Sequence, residues 1–205
     1  MMMSKIPTKE ELLHTLECSV SDGLGFDDWL KFRDFEARIV RVYGEIDMME
    51  STRYLRELEA IRAQGGIGPV SICICSEGGS VYNALAIYDS IRFLAKDRNT
   101  VGTVEGYAAS AAAMIILQAC EERLALKNAR FLIHEVRHWA FGDETLSEVK
   151  DKSKEMETLA GIITGILASR TGKTVADVHA ALERRELWMG AEEAKEFGLI
   201  DGILE

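Results

Sequence analysis

The chain has 205 residues, 47% apolar and 28% charged, with only two prolines and a formal net charge of -10. A chain of this length suits one domain, which buries roughly 70 % of its unfolded surface. The composition excludes a disordered or low-complexity chain, and the acidic balance excludes the basic face of a nucleic-acid binder.

Residues 1–30 are mixed and polar, with Ser21-Asp22-Gly23-Leu24-Gly25 expected as a loop. Residues 1–25 are read as an N-terminal arm ahead of a single domain over 26–205. Met1 to Lys5 leads through Ile6-Pro7 into charge, with no apolar core of a secretory leader. No run reaches the ~18 apolar residues of a membrane span. The four cysteines, Cys18, Cys73, Cys75 and Cys120, are scattered. They lack metal-ligand spacing, so no metal and no cofactor is expected, and a reduced, cytoplasmic protein is the default.

From Arg38 the pattern changes. Ile39 to Tyr43 reads as a strand ended by Gly44, and Met48 to Ala63 as a helix with Leu55, Leu58 and Ile61 on one face, stopped by Gly65-Gly66. Val70 to Cys75 is a second strand running into Gly78-Gly79. Val81, Ala84, Leu85, Tyr88 and Ile91 then mark a helix face. Thr100 to Val104 is a third strand, after which the chain is expected to turn at Gly106 and start a helix at Ser110. Arg123 to Leu126 and Arg130 to Ile133 follow as short strands. Glu144 to Arg170 is a long helix, charged in its first half and apolar in its second, closed by Thr171-Gly172. Val175 to Glu205 holds two more helices and a short apolar tail.

Strands alternating with helices predict right-handed βαβ units and a largely parallel sheet. Ligands on such sheets bind beyond the carboxyl ends of the strands. Gly78-Gly79, Ser110 and His134 all fall at such ends. Ser110 lies within Gly106-Tyr107-Ala108-Ala109-Ser110-Ala111-Ala112-Ala113-Met114, where neighbours are small enough for close backbone approach. A serine nucleophile needs a base, and the oxyanion it creates needs fixed N–H donors. His134 is the candidate base, and the amides of Gly79 and Ala111 are the candidate donors. An acyl-transfer hydrolase is the leading reading.

Each residue also has a plainer account. A lone serine there is more often a small helix-start residue, a histidine ending a core strand is usually satisfied by a neighbour, and Gly-Gly is often a simple turn. His138 in Arg137-His138-Trp139 reads as a loop or partner contact, and His14 and His179 as exposed helix positions. Thr171-Gly172-Lys173-Thr174 imitates the tail of a phosphate loop, but Leu167 stands where the first glycine is required.

Several separated blocks together carry a resemblance. Ser76-Glu77-Gly78-Gly79-Ser80-Val81 with Ala86-Ile87-Tyr88-Asp89-Ser90, the Gly106–Met114 block, Leu132-Ile133-His134, and Met189-Gly190-Ala191-Glu192-Glu193-Ala194 onward to Asp201 resemble the Clp protease proteolytic subunit (ClpP) family over about residues 26–205. The resemblance implies an α/β, ClpP/crotonase-like fold, a repeated ββα superhelix with a protruding handle helix over about 135–170. It implies an ATP-dependent-type serine endopeptidase of peptidase family S14, with Ser110 as nucleophile, His134 as base, and Gly79 and Ala111 as oxyanion-hole amides. It also implies stacked heptameric rings enclosing a chamber, unfolded protein or peptide substrates, and an AAA+ unfoldase or a ClpP paralogue as partner.

The chain departs from the family pattern at three places. The family's triad aspartate aligns with Glu186; glutamate also supplies a carboxylate to the ring's other nitrogen, and a register error or an incomplete triad is the alternative. Ser71 and Cys73 stand where the family has docking-pocket aromatics, so unfoldase docking is expected to differ. Glu135-Val136-Arg137-His138-Trp139-Ala140-Phe141-Gly142 replaces the Gln-Pro and glycine-rich turn after the histidine. These departures suggest a divergent, phage-encoded or accessory member. The alternatives are a non-catalytic ClpR-like ring subunit and, ranked last, an acyl-CoA enzyme of the crotonase fold.

Overall fold

The computed structural model describes residues 25–64, 66, 68–137, 143–183 and 186–205. His14, Cys18, His138, Trp139 and nearly all of the expected arm lie outside the described residues. The chain divides into two units, residues 1–39 and 40–205. In the first unit, helix α1 (Phe26–Glu36) occupies a stretch with no expected element; no residue of it is buried, so it has no apolar stripe to read.

Strand β1 (Ile39–Ile46), which belongs to the second unit from Val40 onward, does not stop at Gly44. Gly44 takes φ 73 within the strand, and its carbonyl accepts the Ser76 hydroxyl at 2.6 Å. Helix α2 (Met48–Ala63) starts on an Asp47 cap, whose carboxylate accepts from the Glu50 amide at 2.8 Å. Its far end is closed by the buried Arg98, which donates to the carbonyls of Ile61 and Arg62. Strand β2 (Val70–Gly79) alternates buried and half-buried residues for most of its length, and α3 (Val81–Leu94) buries Ala84, Ile87, Ile91 and Leu94 at helical spacing.

Strand β3 (Thr100–Ala109) runs past Gly106, because its second half has a partner of its own. Val101 to Val104 pair with β4 (Glu122–Leu126), whereas Tyr107 to Ala109 pair with β5 (Arg130–His134), both in parallel. The helix after Ser110 is also irregular: α4 is a π-turn (Ala112–Ile116) continuing into Leu117–Ala119. The buried Gln118 donates to the Ala113 carbonyl at 2.9 Å, satisfying an acceptor that a regular ladder would have used.

Helix α5 (Leu146–Thr171) opens on a Thr145–Glu148 capping box and ends at Gly172, φ 71. Only its second half packs: Leu159, Ile163, Thr164 and Leu167 are buried, while Leu146 is 71% exposed. Helix α6 (Val175–Leu182), β6 (Glu186–Gly190), α7 (Ala191–Phe197) and β7 (Gly202–Leu204) complete the unit. Two helices were expected here; the two strands were not. The seven-stranded sheet runs β1-β2-β3-β4-β7, with β5 joined to β3 and β6 joined antiparallel to β5. The α/β architecture and the largely parallel sheet agree with the sequence reading.

Candidate active site

Strand register brings the expected residues together. Ala109 pairs with Leu132 across β3 and β5, and the Ser110 N–H donates to the Leu132 carbonyl at 2.8 Å. Ser110 therefore leaves one strand beside the end of its neighbour, where His134 stands two residues beyond Leu132. Adjacent strands lie about 5 Å apart.

Ser110 itself adopts φ 54, in the left-handed region that non-glycine residues seldom visit. Its carbonyl accepts from the amides of Ala113 and Met114, which ties the turn to the start of α4. Such a strand-to-helix elbow presents the residue at its apex and leaves the first N–H groups of the helix without intrahelical partners. Ala111 follows directly and is buried.

The glycine pair closes on this elbow from β2. A β-carbon on Gly78 would lie 2.8 Å from the Ser110 Cβ and 2.9 Å from the Ala111 nitrogen; one on Gly79 would lie 2.6 Å from the Ile46 carbonyl oxygen. Both positions also carry positive φ, 92 and 150. Ser76, fully buried, accepts from the Gly78 amide at 3.0 Å, and the Ser80 amide donates to Ile46. The Gly79 amide sits between those two engaged neighbours.

Gly79, Ser110, Ala111 and His134 line one cleft of about 560 Å³. Its floor is apolar, with Met114, Met156, Leu159 and Ile163, and its rim carries Glu45, Glu77, Arg137, Lys152 and Glu155. His134 also borders a second cavity of about 310 Å³ with Val136, Ile163, His179 and Leu182.

Glu186 does not border either cavity. It is the cross-strand partner of His134 in the β5/β6 register. Its carboxylate, however, accepts from the Arg137 guanidinium at 2.5 Å, which holds it below the usual glutamate range. The His134 Nδ1 contact is to the Glu135 carbonyl, at 2.5 Å. A ring nitrogen facing a carbonyl carries the proton, so Nε2 is the nitrogen with a lone pair. Sequence reasoning placed Gly78 with Gly79 at a strand end but gave no role of its own to Gly78, Ser76 or Arg137; for Arg137 the available signal was a cation three residues after the histidine.

Among the described residues no helix is long and apolar enough to cross a membrane, and no group of three His, Cys, Asp or Glu is placed to hold a metal ion.

A serine elbow, a glycine pair and a strand-end histidine thus share one cleft on a largely parallel α/β sheet. A family profile described as Clp protease matches residues 29–205, and the chain belongs to that family of peptidase subunits. It is 32% identical over 182 residues to the ATP-dependent Clp protease proteolytic subunit 2 of Frankia casuarinae, covering 88% of this chain and 81% of that one. It is 31% identical over 181 residues to the ATP-dependent Clp protease proteolytic subunit 1 of Streptomyces avermitilis, with the same coverage. To subunit 1 of Thermobifida fusca it is 32% identical over 171 residues, 83% of this chain and 75% of that one.

Proposed function

We propose that this chain is a serine endopeptidase subunit that cleaves unfolded protein or peptide inside a ring-shaped chamber. The observation that carries this reading is the shared cleft of Gly79, Ser110, Ala111 and His134. His134 Nε2 takes the Ser110 Oγ proton as the oxygen attacks the peptide carbonyl. The N–H groups of Gly79 and Ala111 receive the oxyanion, a type of contact worth about 3 kcal/mol per donor in such sites. Protonated His134 then gives its proton to the leaving amine, and water, activated by the same imidazole, releases the acyl group from Ser110.

Family membership supports a ring assembly, a partner unfoldase and a cytoplasmic setting. The half-exposed helix α5, with Leu146 and Val149 open to solvent, supports a surface kept for another subunit. The test is Ser110→Ala: it abolishes fluorophosphonate labelling and degradation of an unfolded protein while the assembly stays intact. Undiminished cleavage by that variant overturns the mechanism.

One observation favours a second reading, a non-catalytic ring subunit: the Glu186 carboxylate is engaged by Arg137 rather than His134. Failure of the protein to label with a serine probe, alone and mixed with a catalytic paralogue, selects that alternative.

A further inference from the structure

The carboxylate that stands across from the histidine is committed to another side chain. Glu186 and His134 are paired residues of β6 and β5, and Arg137, three residues beyond His134, lies 2.5 Å from Glu186 Oε1. We propose that Arg137 is a positioning residue that draws Glu186 off His134, so that the resting imidazole is oriented by the neutral Glu135 carbonyl instead of a carboxylate. This rests on the serine–histidine reading above.

The preference follows from charge. A guanidinium is permanently cationic and forked to match a carboxylate, whereas the neutral imidazole offers a single uncharged N–H. Either bond to the carboxylate is charge-assisted, but only the guanidinium brings a full opposite charge to it. Glu186 therefore takes Arg137 while His134 is neutral. Both partners of the pair are well exposed, at 62% and 45%, so its hold is modest and open to competition. When His134 becomes imidazolium in the reaction, it competes for the carboxylate on more even terms.

Among the described residues, the other charges lining the two cavities are engaged elsewhere or of the wrong sign to replace Arg137. On the cleft side, Lys152 donates to Glu144 at 2.7 Å, and Glu77 and Glu155 accept from the hydroxyls of Tyr107 and Tyr82. Glu45 is the remaining carboxylate of that wall. On the second cavity's side stand Glu135, Glu157 and His179. Among the described residues, Arg137 is the cation that pairs with Glu186.

The experiment measures the rate of fluorophosphonate labelling against pH for the assembled full-length chain and its Arg137→Ala, Arg137→Lys, Glu186→Gln and Arg137→Ala/Glu186→Gln variants. Thermal melts check that each is folded. Arg137→Ala labels about tenfold faster near neutral pH, a gain that the carboxylate–imidazole contact accounts for. Its acid limb moves to higher pH, because the carboxylate, released from Arg137 though still bonded by the Trp188 side chain, favours the protonated ring. Arg137→Lys lies between. Glu186→Gln costs a larger factor when Arg137 is absent than when it is present, and the double variant returns the limb to lower pH. An unmoved limb and rate in Arg137→Ala, or an equal cost of Glu186→Gln in both backgrounds, overturns the proposal alone. No labelling in any of these proteins overturns the nucleophile assignment and the proposal with it.

Discussion

Gly78 lies so close behind Ser110 that a β-carbon on it would come within 2.8 Å of the Ser110 Cβ and 2.6 Å of the Ala109 carbonyl oxygen. Two of the three nearest atoms are main chain, so nothing at the end of a flexible side chain can yield. The left-handed φ of 92 adds a conformational penalty of its own. Gly78→Ala is thus expected to cost roughly 3 kcal/mol, the sum of a positive-φ and an overpacking term. Denaturant unfolding checks the stability, and serine-probe labelling of the fraction that remains folded is expected to fall at least tenfold. A variant as stable and reactive as the parent shows that the two strands are not pressed together.

Gln118 is fully buried and serves three partners. It donates to the carbonyls of Ala113 and Leu199 and accepts from Arg123 at 2.8 Å. Gln118→Ala removes the side-chain donor to the buried Ala113 and Leu199 carbonyls, whereas Arg123 keeps Gly198 and Asp201 as partners. The expected loss is about 3 kcal/mol by urea unfolding, more than a neutral hydrogen bond alone would account for.

Asp201 links the C-terminal segment to β4. Burial pushes its carboxyl upward, but hydrogen bonds from the Arg123 side chain and amide outweigh that and hold it below the ordinary aspartate range. A depressed folded-state value contributes stability above the unfolded value, near 3.9, and loses it as pH falls through the folded one. Asp201→Asn should therefore flatten the decline in melting temperature below about pH 4. At neutral pH it should cost about 2 kcal/mol, less than for a fully buried pair because Asp201 is 43% exposed. An identical acid decline in parent and variant refutes the assignment.

The two halves of α5 should answer differently to substitution. Leu167 is fully buried, and Leu167→Ala is expected to cost about 3 kcal/mol. Leu146 is 71% exposed, so Leu146→Glu should change unfolding by less than about 0.5 kcal/mol. If that half is an assembly surface, the same variant sediments as smaller species. Unaltered sedimentation removes α5 from the interface.

The elements with strong local signals were legible from the residues. Met48 to Ala63 matches the expected helix at both ends, because a 3–4 apolar spacing runs through it and glycines follow. Gly79, Ser110, Ala111 and His134 were picked out as candidates by their places at strand ends, and the structure sets them around one cleft. What was missed depends on distant pairing. Glu186 to Gly190 lacks an alternating apolar pattern and is a strand because β5 is its partner. Tyr107 to Ala109 stay extended past Gly106 for the same reason. The Arg137–Glu186 ion pair joins residues 49 apart, and no local pattern announces such a contact.

Every residue from Ala111 to Cys120 is buried, whereas Arg137 and Glu186 stand in solvent. The proposed nucleophile is thus moored in the hydrophobic interior, and the proposed base hangs on the wet margin of the sheet. A substitution or bound molecule at that margin meets the histidine's surroundings in solvent, whereas one at the serine's helix must disturb packed core.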